Sequence, residues 1–423
     1  MSTRAGDLLQ LHFTKLDIQN ADINPAVWIT IILVTILLLN IIAVPFFGES
    51  EFWFASIKLI TIIGLIIVGI VLFFGGGPAQ TSRLGFRYWN NPGAFNPYLV
   101  EGDTGKFLAY WTAFVRAGFA FITSPELIAL AAGETVAPRR NIPKAARRFV
   151  WRLAIFYGIA SLVIGVIVPS DDPRLLSPDS NASASPFVIG IQNAGIPVLN
   201  HVINAAVLTS AWSAGNAFLF SGSRTLYGLA LTGQAPKFLS KTNRHGVPWP
   251  AILATWTFGL LAYLNVSNSG AQVFTWFSNL STISGFIGWI VCLVTYLRFR
   301  RALIFNNALH TLPYSTPFQP YASYMALFIL VILTLTNGFH VFFPQNWSAA
   351  NFLAAYITLP IFLALYVGHK VWARVRWRVP FCFAIRVGEV DVVTGKREMD
   401  ELEARWTEPV AGNWWQRVWY WIA

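Results

Sequence analysis

A chain of 423 residues that is 55% hydrophobic and only 12% charged, with a mean hydropathy of +0.53, carries more apolar sequence than a water-soluble core of that length needs. An ordinary soluble domain is about 25% charged, so the natural solvent for the excess is lipid. The formal net charge of +11 does not point to nucleic acid, because the basic residues form short clusters between apolar runs.

A bilayer-crossing helix needs about 20 mostly apolar residues. Nine runs qualify in chain order: 26–47, 52–74, 107–132, 150–169, 198–221, 249–266, 271–297, 322–344 and 350–369. They predict an all-α integral membrane protein. The polar, mixed-charge first 25 residues are not expected to be a cleavable signal peptide. Cys292 and Cys382 offer no disulfide framework. The loops set the expected orientation. One side collects Arg139, Arg140, Lys144, Arg147, Arg148 and Arg152, then Lys237, Lys241 and Arg244, then Arg298, Arg300 and Arg301, then Lys370, Arg374, Arg376 and Arg378. The other side holds Arg83, Arg87, Lys106 and Arg174, together with Asp171, Asp172 and Asp179. The basic side, with the C-terminus, is expected to be cytoplasmic. Nine spans then put the N-terminus outside, which implies unusual translocation or an odd number of spans missing upstream.

Ionisable groups inside a span are costly and mark function. Lys58 lies about a third of the way into the second run. Two expectations stand for it: snorkelling to the inner interface near Glu49 and Glu51, or a buried amine facing the bundle. The third run, WTAFVRAGFAFITSPELIALAAGET, carries Arg116, Glu126 and Glu134. Pro125 removes a hydrogen bond to the preceding turn, so unwinding is expected near Phe121 to Ser124. Phe119 and Phe121 are either an aromatic gate or ordinary packing. The fifth run offers Ser213, Asn216, Ser221 and Ser223, and the seventh Ser278, Asn279, Thr282 and Ser284, as site residues or as helix-packing residues. Trp276 is a candidate outer cap, and His340 is read as packing. EVDVVTGKREMDELE reads as a solvated element and NWWQRVWYWIA as an interfacial one. No phosphate-binding loop or His/Cys ligand cluster stands in the sequence, so neither cofactor nor metal is expected.

Several stretches carry a resemblance: EFWFASIKLITIIGLIIVGIVLFFGGGP, YWNNPGAF, ELIALAAGETVAPRRNIPKA, SAGNAFLFSGSRTLYGLALTGQAPK, FSNLSTISGFIGWIVCLVTYLRFRRAL and AAYITLPIFLALYVGHKVW. They resemble, in order from about residue 25 to 403, the fungal amino acid permeases of the amino acid–polyamine–organocation superfamily. The resemblance implies an inverted-repeat amino acid transporter bundle (LeuT-like), with substrate near the midplane between broken helices. It implies twelve spans, of which this chain supplies the fourth to the twelfth. The corresponding divisions are a non-matching segment 1–25, a bundle 26–370 and a cytoplasmic tail 371–423.

In this likeness Phe119, Phe121, Ile122, Thr123, Ser124, Glu126, Ser213 and Asn216 would line the substrate site, although Ser124-Pro125-Glu126 replaces the usual Gly-Thr-Glu. Lys58 and Glu126 would be the proton-coupling candidates. The implied partners are an amino acid, protons and the lipid bilayer, with no nucleic acid, and the implied location is the plasma membrane. Two functional expectations follow: amino acid transport, proton-coupled and by alternating access, or a transport-incompetent fragment with at most a regulatory or scaffold role. A membrane-embedded enzyme lacks any catalytic constellation.

Overall fold

In the computed structural model the described residues are 24–42, 44–122, 124–130, 135, 137–176, 185–196, 198–266, 270–312, 314–377, 384–404, 413 and 414. Each of the nine apolar runs is helical among them, but the boundaries depart from the hydropathy reading. Helix α1 is Pro25–Ile41, opened by Asn24, whose side chain accepts from the Ala26 N–H at 2.9 Å. Helix α2 is Val44–Phe73, so it begins well before the second apolar run and takes Glu51 into the helix. The third run is broken as expected. Helix α3 is Gly102–Phe121, Ile122 leaves the helical region at ψ 146°, and α4 resumes over Ser124–Leu130.

Helix α5, Pro138–Ile167, also starts early, and its first three turns are the basic stretch PRRNIPKAARR. The short α6 is Pro186–Asn193, and α7 is Leu199–Leu231. Helix α8, Trp249–Gly259, continues as a 3-10 segment over Leu260–Val266, and α9 is Gly270–Phe305. Helix α10 is Tyr321–Thr336; α11, Ala349–Tyr356, and α12, Thr358–Trp377, form one unit bent by 45°. Among the described residues five helices are long and apolar enough to cross a membrane, or six if the bent pair is one span; α1, α8 with its extension, and α10 are shorter apolar helices.

The helices meet through interlocked small and large side chains, as lipid-embedded helices must where the hydrophobic effect between them is weak. Leu72 of α2, Val163 and Ile167 of α5 and Ile189 of α6 share one buried cluster; Ile32 and Ile36 of α1, Leu219 of α7 and Ile252 of α8 share another. A third joins Val115 of α3, Phe286 of α9 and Leu333 of α10. Large apolar side chains such as Ile60, Phe258, Phe328 and Leu365 point outward, the arrangement that suits a hydrocarbon surround.

In the tail, helix α13, Lys396–Ala404, is mostly exposed and is tied to the bundle at one point: Arg139 at the start of α5 pairs with Asp400 and lies 3.8 Å from Glu403. Arg298 near the end of α9 donates to the Ile385 carbonyl. The Trp-rich end lies outside the described residues, apart from Asn413 and Trp414.

Candidate functional site

The expected site residues fall into two groups, one on each side of the bundle. The first lies along the seam of α2 and α7. Lys58 is half-buried and faces the bundle, donating to Ser213 Oγ at 2.6 Å. Of the two expectations for this amine, the inward one matches the structure. Ser213 Oγ in turn lies 3.1 and 2.9 Å from the two carboxylate oxygens of Glu51. Asn216 Nδ2 donates to Glu51 Oε1 at 3.2 Å, and Asn216 Oδ1 accepts from Asn40 Nδ2 at 2.7 Å. Asn40 also donates to the Ile36 carbonyl of its own helix at 2.9 Å.

Ser213 and Asn216 are both 0% exposed, so this is a buried polar chain across three helices, and such chains are stable when every member is satisfied. The directions are fixed by chemistry: an ammonium only donates, a carboxylate only accepts, and the hydroxyl must do one of each.

The second group surrounds the break between α3 and α4, held against α9. Ile122, 7% exposed, packs on Gly285 so closely that a Cβ added there would stand 1.9 Å from Ile122 Cγ2. Gly118, one turn earlier, is covered by the Phe286 ring in the same way, with 2.3 Å to an added Cβ. Phe119 meets Phe274 of α9 edge-on at 6.1 Å, and Phe121 meets Tyr157 of α5 at 4.8 Å. Beyond the break, Trp289 Nε1 of α9 donates to Glu126 Oε1, while Glu126 Oε2 is buried with no hydrogen-bond partner among the described residues. Thr123 and Glu134 lie outside the described residues; Ser124 is the first residue of α4, and nothing further is described of its side chain.

The remaining polar candidates are spent locally. Ser223, Thr282 and Ser284 donate to carbonyls of their own helices, Phe220, Ser278 and Leu280, at 2.9, 2.7 and 2.8 Å. Trp276 ties α9 to Asn351 of α11 at 3.1 Å. Asn40 and Trp289 are the members that the sequence reading passed over, and Glu51 entered it only as an interfacial neighbour of Lys58. Glu51 stands seven residues before Lys58, a two-turn spacing that puts both on one helix face, and that spacing could have marked it.

A separate polar knot lies beyond the end of α5. The Arg174 guanidinium grips both oxygens of Asp172, at 2.9 and 2.6 Å, and reaches Asn193 at 2.6 Å. The hydrogen bonds from Arg174 hold the Asp172 carboxyl down to about 2. Nearby, residues including Gln80, Arg87, Tyr88, Ile167 and Asn193 line a cleft of about 130 Å³. None of the expected site residues lines it.

Set against known proteins, the sequence profile described as amino acid permease matches residues 11–380, beginning inside the 1–25 segment where no resemblance was noted. The chain is similar to the proline-specific permease of Emericella nidulans, 58% identical over 95% of this chain and 73% of the relative. It is similar to the proline-specific permease of Saccharomyces cerevisiae, 51% identical over 89% of this chain and 60% of the relative. It is also similar to the dicarboxylic amino acid permease of Saccharomyces cerevisiae, 39% identical over 90% of this chain and 62% of the relative. These matches favour transport over the fragment reading, and a transporter over an enzyme. The all-helical bundle and the family match together make the chain a member of the amino acid permease family, a multi-pass membrane protein of amino acid transport.

Proposed function

We propose that the chain carries proline, or a small neutral amino acid close to it, across the plasma membrane together with a proton. Transport is by alternating access around the break between α3 and α4. The observation that carries this reading is Glu126 Oε2, a buried carboxylate oxygen without a partner among the described residues, beside the break between α3 and α4. An unmet buried acceptor costs about 1–3 kcal/mol or more when charged. An amino acid's ammonium, or a proton, offsets that cost. The chain leaves the helical region at Ile122 and resumes as helix at Ser124, a break that suits backbone recognition of a zwitterion, and Phe119 and Phe121 give the apolar wall that a compact side chain needs. Lys58, with Ser213 and Asn216, serves the coupling side.

Proline is favoured within the amino acids because the two proline-specific relatives are more similar than the dicarboxylic one. The clustering of Lys and Arg in alternate loops supports a cytoplasmic C-terminus.

The test is labelled-proline uptake by fungal cells lacking their own proline carriers. Saturable uptake that is abolished by a protonophore and accompanied by alkalinisation of the medium is expected. Glu126→Gln is expected to raise KM by about ten-fold or more, the loss of one charge-assisted hydrogen bond. Uptake of acidic or basic amino acids in preference to proline would overturn the substrate, and uptake insensitive to the protonophore would overturn the coupling.

A further inference from the structure

Resting on the proton-coupled reading, we infer that Glu51 is the proton-exchanging partner of Lys58, and that Ser213 Oγ is the relay between them. The geometry lines up one path of transfer. Lys58 Nζ donates to the hydroxyl at 2.6 Å, and the hydroxyl donates to the carboxylate at 2.9 Å. When the Ser213 hydrogen passes to Glu51, the hydroxyl oxygen takes a hydrogen from Lys58. The ammonium becomes an amine, the carboxylate becomes a carboxylic acid, and the hydroxyl is regenerated. Atoms and charge balance with no other reactant.

The buried, hydrogen-bonded setting makes this step accessible. A separated ammonium and carboxylate are expensive away from water, and neutralising both relieves that cost. Asn216, fixed by Asn40, donates to Glu51 Oε1 and so holds that carboxylate in place against Ser213. Glu51 is the charged group that acts on Lys58. Of the elements packed on α2, α1 carries no titratable residue. On α7, His201, Arg224 and Tyr227 stand about three turns or more from Ser213 along the helix. On α5 the basic residues Arg139 to Arg152 and Tyr157 sit in its first six turns. Glu51 lies two turns, about 10 Å, from Lys58 along α2. Under the proposed orientation it is the nearer of the two to the cytoplasm, where an acid would release its proton inward. Ser213 thereby carries the transferred hydrogen, and Asn216 positions the Glu51 carboxylate that receives it.

The experiment uses the full chain in proteoliposomes, measuring proline uptake driven by a pH gradient and proline-for-proline exchange without one, with surface-oriented protein quantified. Glu51→Gln keeps shape and hydrogen bonding but cannot accept the proton. Gradient-driven uptake is expected to fall by about a hundred-fold while exchange survives, the range of a lost proton-transfer group. Ser213→Ala is expected to behave alike, and Ser213→Thr, which keeps the hydroxyl, to recover uptake. Glu51→Asp is expected to retain part of the uptake with a displaced pH profile.

Wild-type gradient-driven uptake in Glu51→Gln would overturn the relay while leaving proton coupling intact. Loss of exchange together with uptake in Glu51→Gln would also overturn it, assigning Glu51 to folding or substrate binding. Wild-type uptake indifferent to the gradient would overturn the proton-coupled reading and the relay with it.

Discussion

The seam between α2 and α7 and the seam between α3–α4 and α9 are built by opposite means. The first is a chain of donors and acceptors, Lys58, Ser213, Glu51, Asn216 and Asn40, in which each hydrogen bond has a defined donor and acceptor. The second is a contact of glycine with Ile122 and of glycine with Phe286, with one carboxylate held by an indole. A polar seam is sensitive to the identity of single atoms because an unmatched buried group costs its full desolvation. An apolar seam is sensitive to volume and indifferent to charge. The two touch where α4 packs on α7, so a change of shape at the break has a short path to the polar chain.

The strongest way to break the comparison is to remove one charge from the polar seam. Lys58→Met leaves the Glu51 carboxylate without the cation that reaches it through Ser213. Uptake per molecule at the cell surface is expected to fall by about a hundred-fold or more, and the amount of folded protein should fall with it. Pairing Lys58→Met with Glu51→Gln should recover protein without recovering transport, a non-additivity that a double-mutant cycle reads directly. Normal uptake and pH dependence in Lys58→Met, or in Lys58→Arg, would remove the polar seam from the mechanism.

The apolar seam should answer to volume instead. Gly285→Ala places a methyl 1.9 Å from Ile122 Cγ2, where backbone and side chain both have to shift. A destabilisation of about 1–3 kcal/mol is expected, with proline KM raised because the break itself is displaced. Gly288→Ala is the control on the same helix: its added Cβ meets nothing within 4 Å, so a gain of about 1 kcal/mol or less from helix propensity is expected. Thermal stability of the purified protein and the KM of uptake measure both. Equal behaviour of the two variants would mean that the contact on Ile122 carries no weight.

How much of this was legible in the sequence follows the range of each interaction. Hydropathy located the nine apolar runs, because lipid imposes a local rule on composition. Pro125 located the break within one turn, since its missing N–H acts on its own helix. Lys58 stood out as a charge in an apolar run. Glu51 was read only as an interfacial neighbour, because hydropathy started the second span at residue 52. Helix α2 instead begins at Val44, and Ser213 and Asn216 draw the carboxylate inward. The contacts of Gly285 with Ile122 and of Arg139 with Asp400, 261 positions apart, are tertiary and leave no periodicity to read.

The smallest expected effect sharpens the contrast from outside the bundle. Asp172 is also a carboxylate in a hydrogen-bonded knot, but its cation grips it directly and in bidentate fashion, where the Lys58 amine reaches Glu51 through a hydroxyl. Direct pairing holds the Asp172 carboxyl at about 2, below its ordinary 3.8. A depressed carboxyl stabilises the fold above its unfolded value and loses that contribution as pH falls through its folded value. The melting midpoint of the purified protein should therefore carry a component that is flat from neutrality to about pH 4 and falls between there and about pH 2. Asp172→Asn should lower the midpoint at neutral pH and erase that component, while proline KM near neutrality stays put. A carboxylate clamped this way holds its charge across the whole range in which cells live, which suits an anchor. A carboxylate that must take up and release a proton needs the looser arrangement seen at Glu51, with a group between it and its cation that can pass a hydrogen either way.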